Sequence, residues 1–493
     1  MKTRLSKALL TALLVACVTA TPAVAIETIT INATDVTITE SQTTVDNLSI
    51  KNGGSFSISG GAEYDLTAAQ TLQLQSGGKV TVTEGTLKGG SNNFWLYAGE
   101  VNVDGSNSTV EVCTGQAYQN YRALLGLSDA PADVNVTNGG TFVSSASQFV
   151  TNFYSNTTVN ISVDGEGSTF TQTATTQKAQ YYPIGSSGEW VWHDQSYKTD
   201  GTVHRYGGYY DKDSTLGGVK YDTQGPTITY LCDSGTDKSG CKYDARDNCT
   251  TNISATNGGK IVFDSVLTYI GSFLDKQEGY TNKSANFLVD EKSSISFNTM
   301  EIYADTNIDN QGGEFIVNGT LTLHDGATLT FYVSTPDATV ITADQIVVED
   351  GGVLEFSSSP REDAIVMLFG DAHTDALLNT TVNADLYLSD NSVLKVTGTT
   401  LNLGGNDLVL GDNVSFILSD DVYSEPLFSG VSSIVDKEGN AVTSLTINGG
   451  NNEIIIDAAG NVTITTSVPE PATATLSLLA LTCLMARRRR SAH

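Results

Sequence analysis

Apolar and polar residues alternate one by one along most of this chain, in short runs broken by pairs of glycine. The unit recurs as "LSIKNGGSFSI" (48–58), "LQLQSGGKVTV" (72–82), "VNVTNGGTFVS" (134–144), "ISATNGGKIVF" (253–263), "IDNQGGEFIV" (308–317) and "IVVEDGGVLEF" (346–356). Alternation at a period of two predicts β-strands with one buried face, so Leu72, Leu74, Val80 and Val82 belong to a single apolar face. The glycine pairs supply the positive φ a tight turn needs, and the Asn or Asp before them tolerates the same region. No long window upstream of Val468 shows a helical period.

Many short strands with recurrent turns suit either an elongated β-solenoid or a series of β-sandwiches. Sandwiches need separate units and linkers, whereas the glycine-pair unit runs along nearly the whole chain and only nine prolines are present. The reading is an all-β, right-handed parallel β-helix, with tandem β-sandwiches as the alternative. The strand–Gly-Gly–strand units resemble the passenger regions of autotransporter-like surface proteins. They depart from that pattern at the C-terminus, where no translocating barrel follows. One stretch, 177–249, breaks the alternation. It carries nine of the 20 tyrosines, with Trp190, Trp192 and three cysteines, and reads as an insertion projecting from the solenoid. The chain then divides into 1–25, 26–176, 177–249, 250–467 and 468–493.

The two end segments concern handling. Lys2, Arg4 and Lys7, a short apolar stretch and Ala23-Val24-Ala25 make a secretory signal peptide, with cleavage after Ala25. The rival reading takes Leu14 to Cys17 as a lipobox. At the other end, Ala472 to Ala486 is a 15-residue apolar run, about 22 Å long as a helix and short against a bilayer core of about 30 Å. Arg487, Arg488, Arg489 and Arg490 follow it and hold the preceding chain outside. Together with Pro469, Glu470 and Pro471 just upstream, this arrangement resembles the PEP-CTERM sorting signal. The resemblance implies an exosortase-type enzyme that recognises Pro-Glu-Pro at the membrane and processes the tail during export to the cell surface. A plain C-terminal membrane anchor is the alternative.

Charge narrows the partners. The chain has 55 acidic and 26 basic residues, and removing both ends takes away seven of the basic ones. So acidic an exported body excludes nucleic acid and anionic lipid surfaces as partners of the mature chain.

Candidate chemistry is sparse. Cys113, Cys232, Cys241 and Cys249 lie outside signal and tail, an even number that suggests disulfides in an exported chain, against some free thiols. Their spacings do not match a zinc site. Trp190, Trp192, Tyr206 and Tyr209, with Tyr181, Tyr182 and Tyr210 nearby, form an aromatic set able to stack on sugar rings, or else the insertion's own small core. His193 and His204 read as loop residues. Acidic loops at 211–213 and 233–247 lack the spacing of calcium motifs, so no metal or cofactor is expected. Parallel β-helices also host polysaccharide hydrolases and lyases, and Asp420-Asp421 is an acidic pair of that kind. His324 and His373 sit in acidic turns without a nucleophile motif, so no catalytic residue is assigned. The expectation is a non-enzymatic surface protein, adhesin-like, whose partners are signal peptidase, the processing enzyme and extracellular glycans. The alternative is a surface polysaccharide-degrading β-helix enzyme.

Overall fold

The structure is a computed structural model. It describes residues 27–465 except 67–70, 90–92, 114–121, 147, 153–155, 174–189, 198–202, 212–218, 221–227, 233–247, 266, 272–282, 336, 359–377 and 420–425; for 190–197, 203–211, 219–220, 228 and 464–465 it describes the backbone. The signal peptide, Cys241, His373, Asp420-Asp421 and the whole tail from Pro469 to Arg490 lie outside the described residues.

Every strand in the body pairs in parallel with the strand one coil away, and three columns of such strands form a β-solenoid. The first column starts at Thr28–Asn32 and climbs through Asn47–Lys51, Thr71–Leu74, Asn93–Leu96, Arg122–Leu125, Gln148–Thr151, Ile228–Leu231, Leu267–Ile270 and Met300–Ile302. It continues through the second halves of Glu314–Leu323, Thr339–Val348 and Leu378–Leu388 to Ile434–Asp436. The second column runs from Asp35–Ile38 to Ser444–Ile447, and the third from Gln42–Thr43 to Phe428–Ser429. Parallel pairing across whole coils replaces the tandem-sandwich alternative, whose sheets would be antiparallel. Among the described residues there is no helix, and none long and apolar enough to cross a membrane.

The glycine pairs turn corners, and they serve two different ones. "KNGGS" and "QSGGK" lead from the first column to the second, whereas "TNGGT" (137–141) and "TNGGK" (256–260) lead from the second to the third. Their irregular spacing in the sequence follows from this. At 138–140, Asn138 and Gly139 take φ of 53° and 86°. Gly140 has another reason to be glycine, since a Cβ there would stand 2.5 Å from the Val103 carbonyl oxygen of the coil below. One glycine supplies the conformation, the next the close approach.

Inside, alternate residues fill one continuous core. Leu72, Leu74, Val80 and Val82 are all within 1% of complete burial, as their shared face requires. Phenylalanines stack from coil to coil: Phe142 on Phe170 at 5.1 Å and 2°, Phe263 on Phe297 at 5.0 Å and 5°, Phe331 on Phe356 at 5.1 Å and 9°. Each such ring contributes about 2–3 kcal/mol by burial, and its register partner on the next coil fixes where it sits. Coils differ in length because loops do. Thr28 stands opposite Asn47 across a short coil, and Phe94 opposite Ala123 across a longer one. Phe149 stands opposite Thr229, a far longer step along the chain, and that coil carries the insertion.

The span 177–249 is not one excursion. The solenoid resumes within it at Ile228–Leu231, a full rung of the first column, and Cys249–Thr256 is a rung of the second. The insertion therefore leaves after Thr169–Gln172 and returns at Ile228. Its described part is a separate antiparallel sheet of Trp190–Tyr197, Val203–Asp211 and Val219–Lys220. His193 and His204, expected in loops, are strand residues of this sheet. At the far end of the solenoid, Ser444–Ile447, Gly450–Ile456 and Val462–Thr465 pair antiparallel and close the core over Leu445, Ile447, Ile454 and Val462.

Candidate functional site

The insertion hairpin orders the aromatic residues that the sequence singles out. Trp192 pairs with Tyr209, Trp190 with Asp211, and Gln195 with Tyr206. Strand alternation then places Trp190, Trp192, Tyr209 and Asp211 at positions of one face, joined by Lys220 across from Tyr209. Tyr206 falls at a position of the opposite face, with Tyr210 across from Val191. Three of the four expected stacking residues thus share a face and the fourth does not.

A second aromatic row, unforeseen from the sequence, runs along the outer side of the first column. In the register Trp95, Leu124, Val150, Tyr230, Tyr269 and Glu301 follow one another rung by rung. They point away from the main core, yet Leu124, Val150, Tyr230 and Tyr269 are buried, and with Trp95, Tyr97 and Tyr303 they form a cluster of their own. Tyr230 stacks on Tyr269 at 5.5 Å and 16°, and Tyr269 lies 6.3 Å from Tyr303. Tyr303 stacks on His324 at 3.8 Å and 6°. The insertion returns to the body at Tyr230's own rung. A signal for this row exists in the text: "FWLY" (94–97), "RALL" (122–125), "TYL" (229–231) and "LTYI" (267–270) carry apolar residues at both inward and outward positions, where half-exposed strands would alternate.

The row ends in charge. His324 Nδ1 is 2.8 Å from Glu349 Oε2, on the following coil. On the other side Nε2 is 3.4 Å from Glu301 Oε2, a charge contact and not an aligned hydrogen bond. The Tyr303 hydroxyl donates to that same Glu301 oxygen at 3.1 Å. Burial alone would lower the imidazole pKa, but the contacts and charges of Glu301 and Glu349 outweigh it and raise the value above its usual range. Protonated, His324 ties three coils together and offsets part of the repulsion between the two carboxylates.

The cysteines are placed differently from the expectation. Cys113, Cys232 and Cys249 are buried and form no disulfide with one another. Cys113 abuts the carbonyl of Arg122, whose rung lies two below that of Ile228. Two rungs are about 10 Å, beyond the Cα separation a disulfide spans. The Cys232 thiol donates to the Ser284 carbonyl at 2.9 Å. Burial pushes both the Cys113 and the Cys232 thiol up to about 12, so neither is a ready nucleophile. Cys232 belongs to a buried polar knot at the corner between the first and second columns. Its amide donates to Thr151 Oγ1 at 3.0 Å, Thr151 and Thr251 hydroxyls meet at 2.7 Å, and Asn152 Nδ2 donates to the Thr157 carbonyl at 2.8 Å. The core is polar at this corner, just past the rung where the insertion has returned at Ile228.

In comparisons with known proteins no family model matches the chain, and no curated protein matches it.

Proposed function

We propose that the chain is an exported, acidic β-solenoid of the cell surface that serves adhesion and glycan contact through the hairpin on its side. The observation that supports this most directly is the register of that hairpin, which gathers Trp190, Trp192 and Tyr209 onto one face. Aromatic faces stack on the C–H faces of sugar rings, and Asp211 at the same face supplies a hydrogen-bond acceptor. The tail supports the localisation in this reading: Pro469-Glu470-Pro471, the apolar run and four arginines suit sorting at the membrane, with an exosortase-type enzyme as partner.

The test is a glycan array probed with the parent and with Trp190→Ala/Trp192→Ala. Binding should fall at least tenfold in the double variant while far-UV circular dichroism stays that of the parent. Equal binding by a folded double variant rejects the hairpin as the site.

A further inference from the structure

The two faces of the insertion sheet differ in charge. Asp194, Arg205, Asp211 and Lys220 are the acidic, lysine and arginine residues of its three strands, and strand alternation puts all four on the face of Trp190 and Trp192. The opposite face has Val191, Tyr206, Tyr210 and Val219 and no such charge. Two acids balance two bases on the charged face, in a chain with 55 acidic residues against 26 basic.

That face also has a notch. From the base of the hairpin to its turn, Trp190 pairs with Asp211, Trp192 with Tyr209 and Ser196 with Arg205; between the last two pairs, Asp194 stands across from Gly207. Glycine inside a strand weakens it by about 0.5–1 kcal/mol, and it marks a bulge, a barrel corner or the close approach of another group. The register runs unbroken from Trp190 to Ser196, its irregularity lying at Ser196/Tyr197, so no bulge calls for Gly207. The sheet is an open one of three strands, and no strand of the solenoid pairs with it. Gly207 thus leaves space on the face, one two-residue step of about 7 Å from Tyr209. An aromatic pair lies at one side of that space, and opposite charges, Asp194 and Arg205, at the other. A carboxylate that accepts and a guanidinium that donates suit neighbouring sugar hydroxyls, which do both. A uronate or sulfated unit would meet Asp194 and the field of an acidic body, and an amino sugar would meet Arg205.

We propose that this face takes an uncharged oligosaccharide, with one ring over Gly207 between Asp194 and Arg205 and the next over Trp192 and Tyr209. The inference rests on the glycan reading of the hairpin, and it adds the class of sugar and the residue that admits it.

The experiment probes an array of uncharged, uronate-containing and amino oligosaccharides with the full-length chain. Its variants are Trp190→Ala/Trp192→Ala, Gly207→Val, Gly208→Val, Asp194→Asn and Arg205→Gln. Valine keeps the strand preference at both glycines. Gly208, across from His193 on the opposite face, controls for the loss of backbone freedom. Far-UV circular dichroism and protease resistance report that each variant is folded. The parent should bind uncharged oligosaccharides. Gly207→Val should weaken that binding about tenfold, each charge variant about threefold, and Gly208→Val less than about twofold. Parent-like binding by Gly207→Val, or an equal loss in Gly208→Val, overturns the notch; a loss confined to the tryptophan variant leaves the stacking face standing. Tighter binding of uronate or amino oligosaccharides than of uncharged ones overturns the class of sugar. A parent that binds none of them, or a folded tryptophan variant that binds like the parent, overturns the glycan reading of the hairpin and this inference with it.

Discussion

One position, the last residue of successive second-column strands, shows how single residues make coils stack. Read rung by rung, it is Thr83, Asp104, Thr137, Asp164 and Thr256. Carboxylates alternate with hydroxyls, so no two acids stand on adjacent rungs about 4.8 Å apart. Each acid accepts from the rung after it: Asp104 from Thr137 at 2.9 Å and Asn138 at 2.6 Å, Asp164 from Thr256 at 2.7 Å and Asn257 at 2.6 Å. Thr137→Asp would place three carboxylates in a row and remove a donor. Urea denaturation should show a loss on the order of 1 kcal/mol at low salt, shrinking as salt is added. His324 makes the opposite contribution, a cation between acids. Its folded pKa is raised, so its stabilisation is fully present below the unfolded value of about 6.5 and is lost as pH climbs through the folded value. Parent and His324→Gln should differ most in urea midpoint at pH 6 and less at pH 9. A gap that widens with pH would show that His324 is held neutral.

At the scale of the element, the corners decide as much as the strands. Gly140→Ala forces a Cβ against the Val103 carbonyl, which cannot retreat without breaking its own rung. A loss of about 1–3 kcal/mol in chemical denaturation is expected, whereas Gly53→Ala, with nothing within 4 Å, should suffer from its φ of 72° alone. Buried thiols at corners behave likewise as packing. In the native protein at pH 8, Cys113 and Cys232 should resist iodoacetamide and react once the chain is unfolded, as mass spectrometry of the peptides would show. The strands on either side of each glycine pair were legible in the text because burial and period agree there, as at Leu72 to Val82. The column a strand belongs to was not legible, because coil length varies with loop length and the same Gly-Gly serves two corners. The rung "ITYL" at 228–231 was hidden for a physical reason as well. Four residues with an outward tyrosine look like the aromatic-rich loop around them until a neighbouring rung supplies their partner. Of the candidate site, the hairpin's tryptophans stood out by residue type alone. The row from Tyr230 to His324 joins residues far apart in the chain, and only the stacking of coils brings them together.

For the whole molecule, the difficulty is how to end. A stack of parallel coils buries its core only where another coil follows, and its last rung presents both apolar side chains and unpaired backbone. Here the last parallel rung, Ser444–Ile447, turns back on itself: Gly450–Ile456 pairs with it antiparallel, and Val462–Thr465 pairs with that strand and meets Phe428 through Val462. The direction reversal halts further parallel addition, and Ile454 and Val462 cover the core end. Acidity works in the same sense, since a net charge of −29 keeps copies apart at low salt. Deleting 450–465 should leave the β-rich circular dichroism spectrum almost unchanged, because the coils below do not depend on the closing sheet for their own pairing. It should, however, uncover Leu445, Ile447 and the edge of the last rung. Light scattering after gel filtration should then find assemblies larger than the parent's, growing with protein concentration and with salt as charge repulsion is screened. A truncated chain of parental size at high salt would mean that the last rung needs no cover, and that the closing sheet is there for what it presents on its outer face.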